Sequence, residues 1–172
     1  EYIGSFNPLS DAEVIGCAAQ FLSELGVLDS CILHLNSLGD GQSRDAYRAA
    51  LVAFLSDYKN ELSSDSQRRL NENPLRILDS KADEDREILK NAPQLPAFLT
   101  SQAQQHFEHV TKALDKAGIN CQLDTNLVRG LDYDSHTAFE FITEELGSQG
   151  TVLGGCRYDG VSTLLGGQDI GA

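Results

Sequence analysis

The chain has 172 residues, with 13 Lys and Arg against 26 Asp and Glu, a formal net charge of −13. That length can bury a core and form one domain, or one and a half. It holds no apolar run near the roughly 20 residues of a membrane helix, and no basic, apolar-cored leader. Nucleic-acid binding rests on Lys and Arg against phosphates, so so acidic a chain is not expected to hold RNA tightly alone. It opens at Glu1 and contains no Met, which reads as an internal part of a longer reading frame. The four cysteines, Cys17, Cys31, Cys121 and Cys156, are widely spread and form no CxxC pair. A zinc site is therefore not expected, and four reduced thiols, mostly buried, fit a cytosolic protein.

Ser10-Asp11-Ala12-Glu13 has the form of a capping box and predicts a helix start. Val14, Ile15, Ala18, Phe21, Leu22 and Leu25 follow at helical spacing, and Gly26 is a natural stop. Cys31 to Leu35 reads as a strand with Leu33 and Leu35 on one face and Ile32 and His34 on the other. Asn36 to Gly41 reads as a turn. A second helix is predicted from about Ser43, with Tyr47, Ala50, Leu51, Phe54, Leu55 and Tyr58 as its apolar stripe. From about Glu61 to Leu99 the chain is charged and carries Pro74, Pro93 and Pro96, as a small inserted helical module would. A third helix is predicted over Ser101 to Lys116, capped by Thr100 and stopped by Gly118, with Phe107, Val110 and Leu114 buried.

The last third reads as strands. Ile119 to Leu123 is one, and His136 to Ile142 alternates with Phe139 and Phe141 on one face. Gly147 to Gly150 reads as a hairpin turn. Thr151 to Gly155 and Arg157 to Gly160 make a glycine-interrupted strand. Strands in sequence without helices between them imply an antiparallel sheet and an α+β fold. The implied divisions are a sheet part over 1–57, the helical module over 58–114, and a second sheet part over 115–172.

The residues that could carry chemistry sit in two runs, Leu127 to Phe141 and Gly147 to Gly160. Arg129, between Val128 and Gly130, could hold a carboxylate or phosphate with two bonds, or stabilise charge in a transition state. A structural pair with Asp132 or Asp124 fits it equally well. Tyr133 and Tyr158 offer ring faces with one polar end each, for a ligand or for the core. Gly154 and Gly155 would let a ligand approach the backbone, or mark a bulge. His106 and His109 flank Glu108 without the zinc pattern HExxH, so a solvated helix face is expected. His34 and His136 read as structural. No GxxxxGK[ST] or GxGxxG loop is present, so those motifs do not put ATP on this chain.

The runs LVRGLDYD (Leu127 to Asp134) and GGCRYDG (Gly154 to Gly160) resemble the two histidine-specific motifs of histidyl-tRNA synthetases, which are class II aminoacyl-tRNA synthetases. NPLRILDSK, Asn73 to Lys81, resembles their inserted helical domain. LNSLGD and DAEVI match further segments in the right order, so the resemblance covers essentially the whole chain. It implies part of the class II antiparallel sheet with flanking helices and a helical insertion. By position, Glu1 would contact the imidazole of histidine, Arg129 would be the catalytic arginine, and Tyr133 and Tyr158 would line the pocket. Two positions depart from the family's pattern. Asp134 stands where a second tyrosine is usual, and Cys156 where a third glycine is usual; Asp134 with Glu1 would put two carboxylates near one ring. The resemblance further implies a cytoplasmic homodimer that uses histidine, ATP with Mg²⁺, and the histidine tRNA, with no membrane. The other motifs of such an enzyme are not in the chain, so this piece alone is expected to be inactive. A non-catalytic histidine-sensing paralogue, like the regulatory subunit of ATP phosphoribosyltransferase, is the competing expectation.

Overall fold

The computed structural model describes residues 1–127, 133–147 and 150–172. Helix α1 spans Pro8–Glu24. It begins earlier than the Ser10 signal predicts, because Asn7 and Pro8 make the better start. The Asn7 side chain accepts the Leu9 N–H at 3.0 Å, and Pro8 takes a first-turn place where no N–H is needed. Ser10 lies inside the helix and donates to the Ser5 hydroxyl at 2.7 Å. Ile15, Ala18, Ala19 and Leu22 are buried, while Phe21 and Leu25 are exposed.

Strand β1 covers Ile32–Gly39 and runs through the expected turn at Asn36. The polar residues continue it because their groups are satisfied inside. Asn36 pairs with Ala138 and Ser37 with Thr137, and the Asn36 amide donates to the Leu127 carbonyl at 2.9 Å. At Gly39 the backbone turns into the left-handed region (φ +68°), and a Cβ there would lie 2.5 Å from that of Ser43. Only glycine fits. Asp40 then caps helix α2, Gly41–Asp57, by accepting the Ser43 N–H at 2.7 Å.

Helices α3 (Ser64–Glu72) and α4 (Asp83–Leu89) follow, with short 3₁₀ turns at Pro74–Ile77 and Leu95–Phe98. Tyr47, Leu51 and Leu55 of α2 join Leu62, Leu70, Ile77 and Leu95 in one buried cluster. At its edge the Asp85 carboxylate is fully buried. It accepts the Ser63 N–H and the hydroxyls of Ser63, Ser66 and Ser80, at 2.5–2.8 Å. Burial works to raise its pKa, but those donors outweigh it and hold the carboxyl below its usual range.

Helix α5, Ser101–Lys116, has its expected bounds, with Thr100 accepting the Ala103 N–H. Val110 and Leu114 are fully buried against Ile15, Leu22, Leu33, Leu35, Phe139 and Phe141. Tyr47, Leu51 and Leu55 of α2 thus share a cluster with the helices that follow, and Val110 and Leu114 of α5 share one with the sheet. The sheet adds β2 (Cys121–Leu123), β3 (Ser135–Ile142) and β4 (Thr151–Arg157), in the order β2-β1-β3-β4. β3 is antiparallel to both neighbours, as expected; β2 lies parallel to β1. The parallel pair follows from the connection, since α2 to α5 all lie between these strands and supply the crossover a parallel pair needs. A short helix α6, Val161–Leu164, follows β4.

Candidate functional site

Among the described residues β4 pairs on one side, against β3, with Phe139 opposite Gly155 and Ala138 opposite Cys156. A Cβ on Gly155 would meet the Phe139 ring at 2.7 Å, so the glycine is what lets the strand lie flat on that ring. Around this strand opens a cavity of about 430 Å³. Its size suits a small molecule. Gly154, Gly155, Cys156 and Tyr158 form one wall, Glu1 and Tyr2 another, and Asp11 and Val14 of α1 the floor.

Four of the sequence-predicted residues, Glu1, Gly154, Gly155 and Tyr158, therefore converge. Burial first, and then the nearby Glu1 carboxylate, push the Tyr158 phenol above its usual pKa. Its buried hydroxyl has no partner in hydrogen-bonding geometry among the described residues. A ligand donor or acceptor at that point would satisfy it.

Tyr133 and Asp134 are not among the described residues that line the cavity. Asp134 is 2% exposed, and its carboxylate accepts from the Cys156 thiol at 3.0 Å. Cys156 thus stands between Asp134 and the open space. Arg129 lies outside the described residues. Its alternative partner Asp124 pairs with the His34 ring at 3.0 Å.

The sequence does not reveal the charges that meet at the cavity floor. Asp11 sits 2.5 Å from Arg157 and 2.8 Å from His106, with all three side chains less than a tenth exposed. His106 is thus not on a solvated face, although His109 is exposed. The reason is topological: α5 lies across α1, and the residues that face each other there are about a hundred positions apart. Burial works to raise the Asp11 pKa, but bonds from His106 and Thr137 and the Arg157 charge hold it below the usual range. The thiols also differ from expectation, since Cys17 is exposed and Cys31, Cys121 and Cys156 are partly so.

The fold is that of class II aminoacyl-tRNA synthetases. A solved neighbour, apo histidyl-tRNA synthetase of S. aureus, matches with a TM-score of 0.76 and 38% identity, over 97% of this chain and 40% of that one. The histidyl-tRNA synthetase family model matches residues 1–172, and the chain belongs to that family. It is 53% identical over 167 residues to the histidine–tRNA ligase of Rhodospirillum rubrum, covering 97% of this chain and 40% of the relative. It is 52% identical to that of Streptococcus pneumoniae, covering 98% and 39%. The chain thus spans about two fifths of the length of these relatives.

Proposed function

We propose that this chain is the histidine-binding part of a histidine–tRNA ligase, and that the cavity beside β4 receives the amino acid. The observation that carries this is the meeting of Glu1, Tyr158 and the two glycines at one cavity, in a chain about half identical to ligases of that name. Glu1 would accept from the imidazole, and the unpaired Tyr158 hydroxyl would bond the ligand beside it. Arg129 would hold the histidine carboxylate or the ATP α-phosphate and stabilise charge as the bond forms. Tyr133 would close the pocket from the start of β3. Asp134 would act through Cys156, whose thiol fills space next to the ring.

The reaction has two steps. The histidine carboxylate attacks the α-phosphate of ATP and pyrophosphate leaves; a terminal hydroxyl of the tRNA then attacks the activated carbonyl and AMP leaves. Among the described residues no cluster of three or more His, Cys, Asp or Glu is poised for a metal ion. Mg²⁺ would come with ATP, on its phosphates. We infer that the helical module, residues 58–114, approaches the tRNA, and that the whole protein is a homodimer in the cytoplasm. Among the described residues no helix is long and apolar enough to cross a membrane.

The test is ATP–pyrophosphate exchange by the full-length protein that contains this chain. Exchange with histidine and no other amino acid is expected, and none from the 172-residue piece alone. A folded full-length protein without exchange would refute the reading and leave a histidine-sensing, non-catalytic relative.

A further inference from the structure

Three residues that line the cavity, Asp11, Thr137 and Arg157, belong to a buried network that reaches out of the sheet to α5. The Asp11 carboxylate takes three side-chain donors. Arg157 Nη1 lies 2.5 Å from Oδ1; His106 Nε2 at 2.8 Å and the Thr137 hydroxyl at 2.5 Å bond Oδ2. Asp11 is held ionised, so the His106 nitrogen is the donor. Arg157 also gives its Nε to Asp159 at 2.9 Å and its Nη2 to the Ser5 carbonyl. Asp159 in turn accepts from the Ser135 hydroxyl and the Ala172 N–H, each at 3.0 Å. The next residue after Arg157 is Tyr158, and Ser5 ends the segment that begins at Glu1. One guanidinium therefore fixes both walls of the cavity, Asp11 orients that guanidinium, and His106 completes the donors on Asp11.

His106 does not line the cavity itself. Its ring stacks on His136 at a centroid distance of 4.4 Å. His136 sits where the β1–β3 and β3–β4 registers shift, at φ +47°, and its buried Nδ1 has no partner among the described residues. A non-glycine residue keeps such a backbone only where its surroundings determine it. The stacked pair thus presses His106 into one orientation, with Nε2 aimed at Asp11.

We propose that His106 is a positioning residue for the ligand site. It acts through Asp11 and Arg157 to set the spacing of Glu1 and Tyr158, and so the fit of the bound amino acid. This rests on the reading of the cavity as the histidine site. The experiment uses the full-length protein and two variants, H106Q and H106N, with KM for histidine and kcat read by pyrophosphate exchange and melting temperature read alongside. Glutamine carries an N–H at the place of Nε2 and reaches Asp11; asparagine is one carbon too short. We expect H106N to raise KM for histidine about tenfold, with kcat within about threefold, because misplaced contacts weaken binding first. H106Q should stay within about threefold of the parent in both. Variants that behave alike, or an H106N protein that unfolds or loses kcat and KM together with its melting temperature, would make His106 only structural and overturn the proposal. A parent protein without exchange would sink the underlying reading instead.

Discussion

Replacing Asp85 tests how one buried carboxylate holds the helical module together. Asp85→Ala leaves the Ser63 N–H and the hydroxyls of Ser63, Ser66 and Ser80 without their shared acceptor. Hydroxyls can turn to other acceptors, but the backbone N–H cannot. A hydrogen bond to a charged group contributes about 1.5–3 kcal/mol, and four that share one carboxylate are not additive. We therefore expect a loss of about 3–5 kcal/mol, a large share of a typical 5–15 kcal/mol. Asp85→Asn should lose about 2–3 kcal/mol, since its amide must turn an N–H toward either the Ser63 N–H or the three hydroxyls. The assay is urea denaturation of the 172-residue chain, followed by circular dichroism. With a slope of about 2 kcal/mol per molar urea, the alanine variant should unfold about 1.5–2.5 M earlier. Glu87→Ala, which removes an exposed pair with Lys90, is the control and should shift stability by less than about 1 kcal/mol. An Asp85→Ala shift no larger than that of the control would refute the reasoning.

His136 has its pKa lowered, by burial first and then by His106. The folded state then binds fewer protons than the unfolded one, so this contribution is complete above the unfolded value near 6.5 and is lost as pH falls below it. His136→Asn, which tolerates positive φ and does not titrate, should flatten the urea midpoint between about pH 5 and 7; an unchanged slope would count against it. Arg157→Leu leaves the buried Asp11 side chain and the partly buried Asp159 without their shared cation and should cost about 3–5 kcal/mol by the same denaturation; a loss under about 1 kcal/mol would contradict the network. Gly155→Ala forces a methyl to within 2.7 Å of the Phe139 ring and should cost about 1–3 kcal/mol, read as a lower melting temperature. No change there would mean the strand can move off the ring.

Local chemistry made much of this legible. Helix α5 announced itself through Thr100, its apolar stripe and Gly118, because caps and periodicity act within a few residues. The alternation of Leu33 and Leu35, and of Phe139 and Phe141, placed the core face of two strands. The cavity residues Tyr158, Gly154 and Gly155 lie in one short run, so a motif could carry them. The partners of Asp11 lie 95, 126 and 146 positions away, and no spacing encodes such a meeting. For that reason the sequence suggests a solvated His106, since a histidine on a charged helix looks the same with or without a carboxylate across from it. The parallel placement of β2 was likewise hidden, because it depends on where a long crossover returns.

The knot at the root of the module has a consequence for how such a chain can be altered. Asp40 caps α2 and also accepts the hydroxyl of Thr100, while Ser43 accepts the Thr100 N–H at 2.9 Å. The chain thus leaves the sheet and comes back to it at one doorway, with the 59 residues 41–99 between. A segment whose two ends already touch can lengthen, shrink or be exchanged for another without any strand having to shift, at a closure cost that grows only slowly with length. Just inside the doorway the Arg44 guanidinium also bonds the Asp134 carbonyl, so the first turn of α2 stays with the sheet in any such exchange.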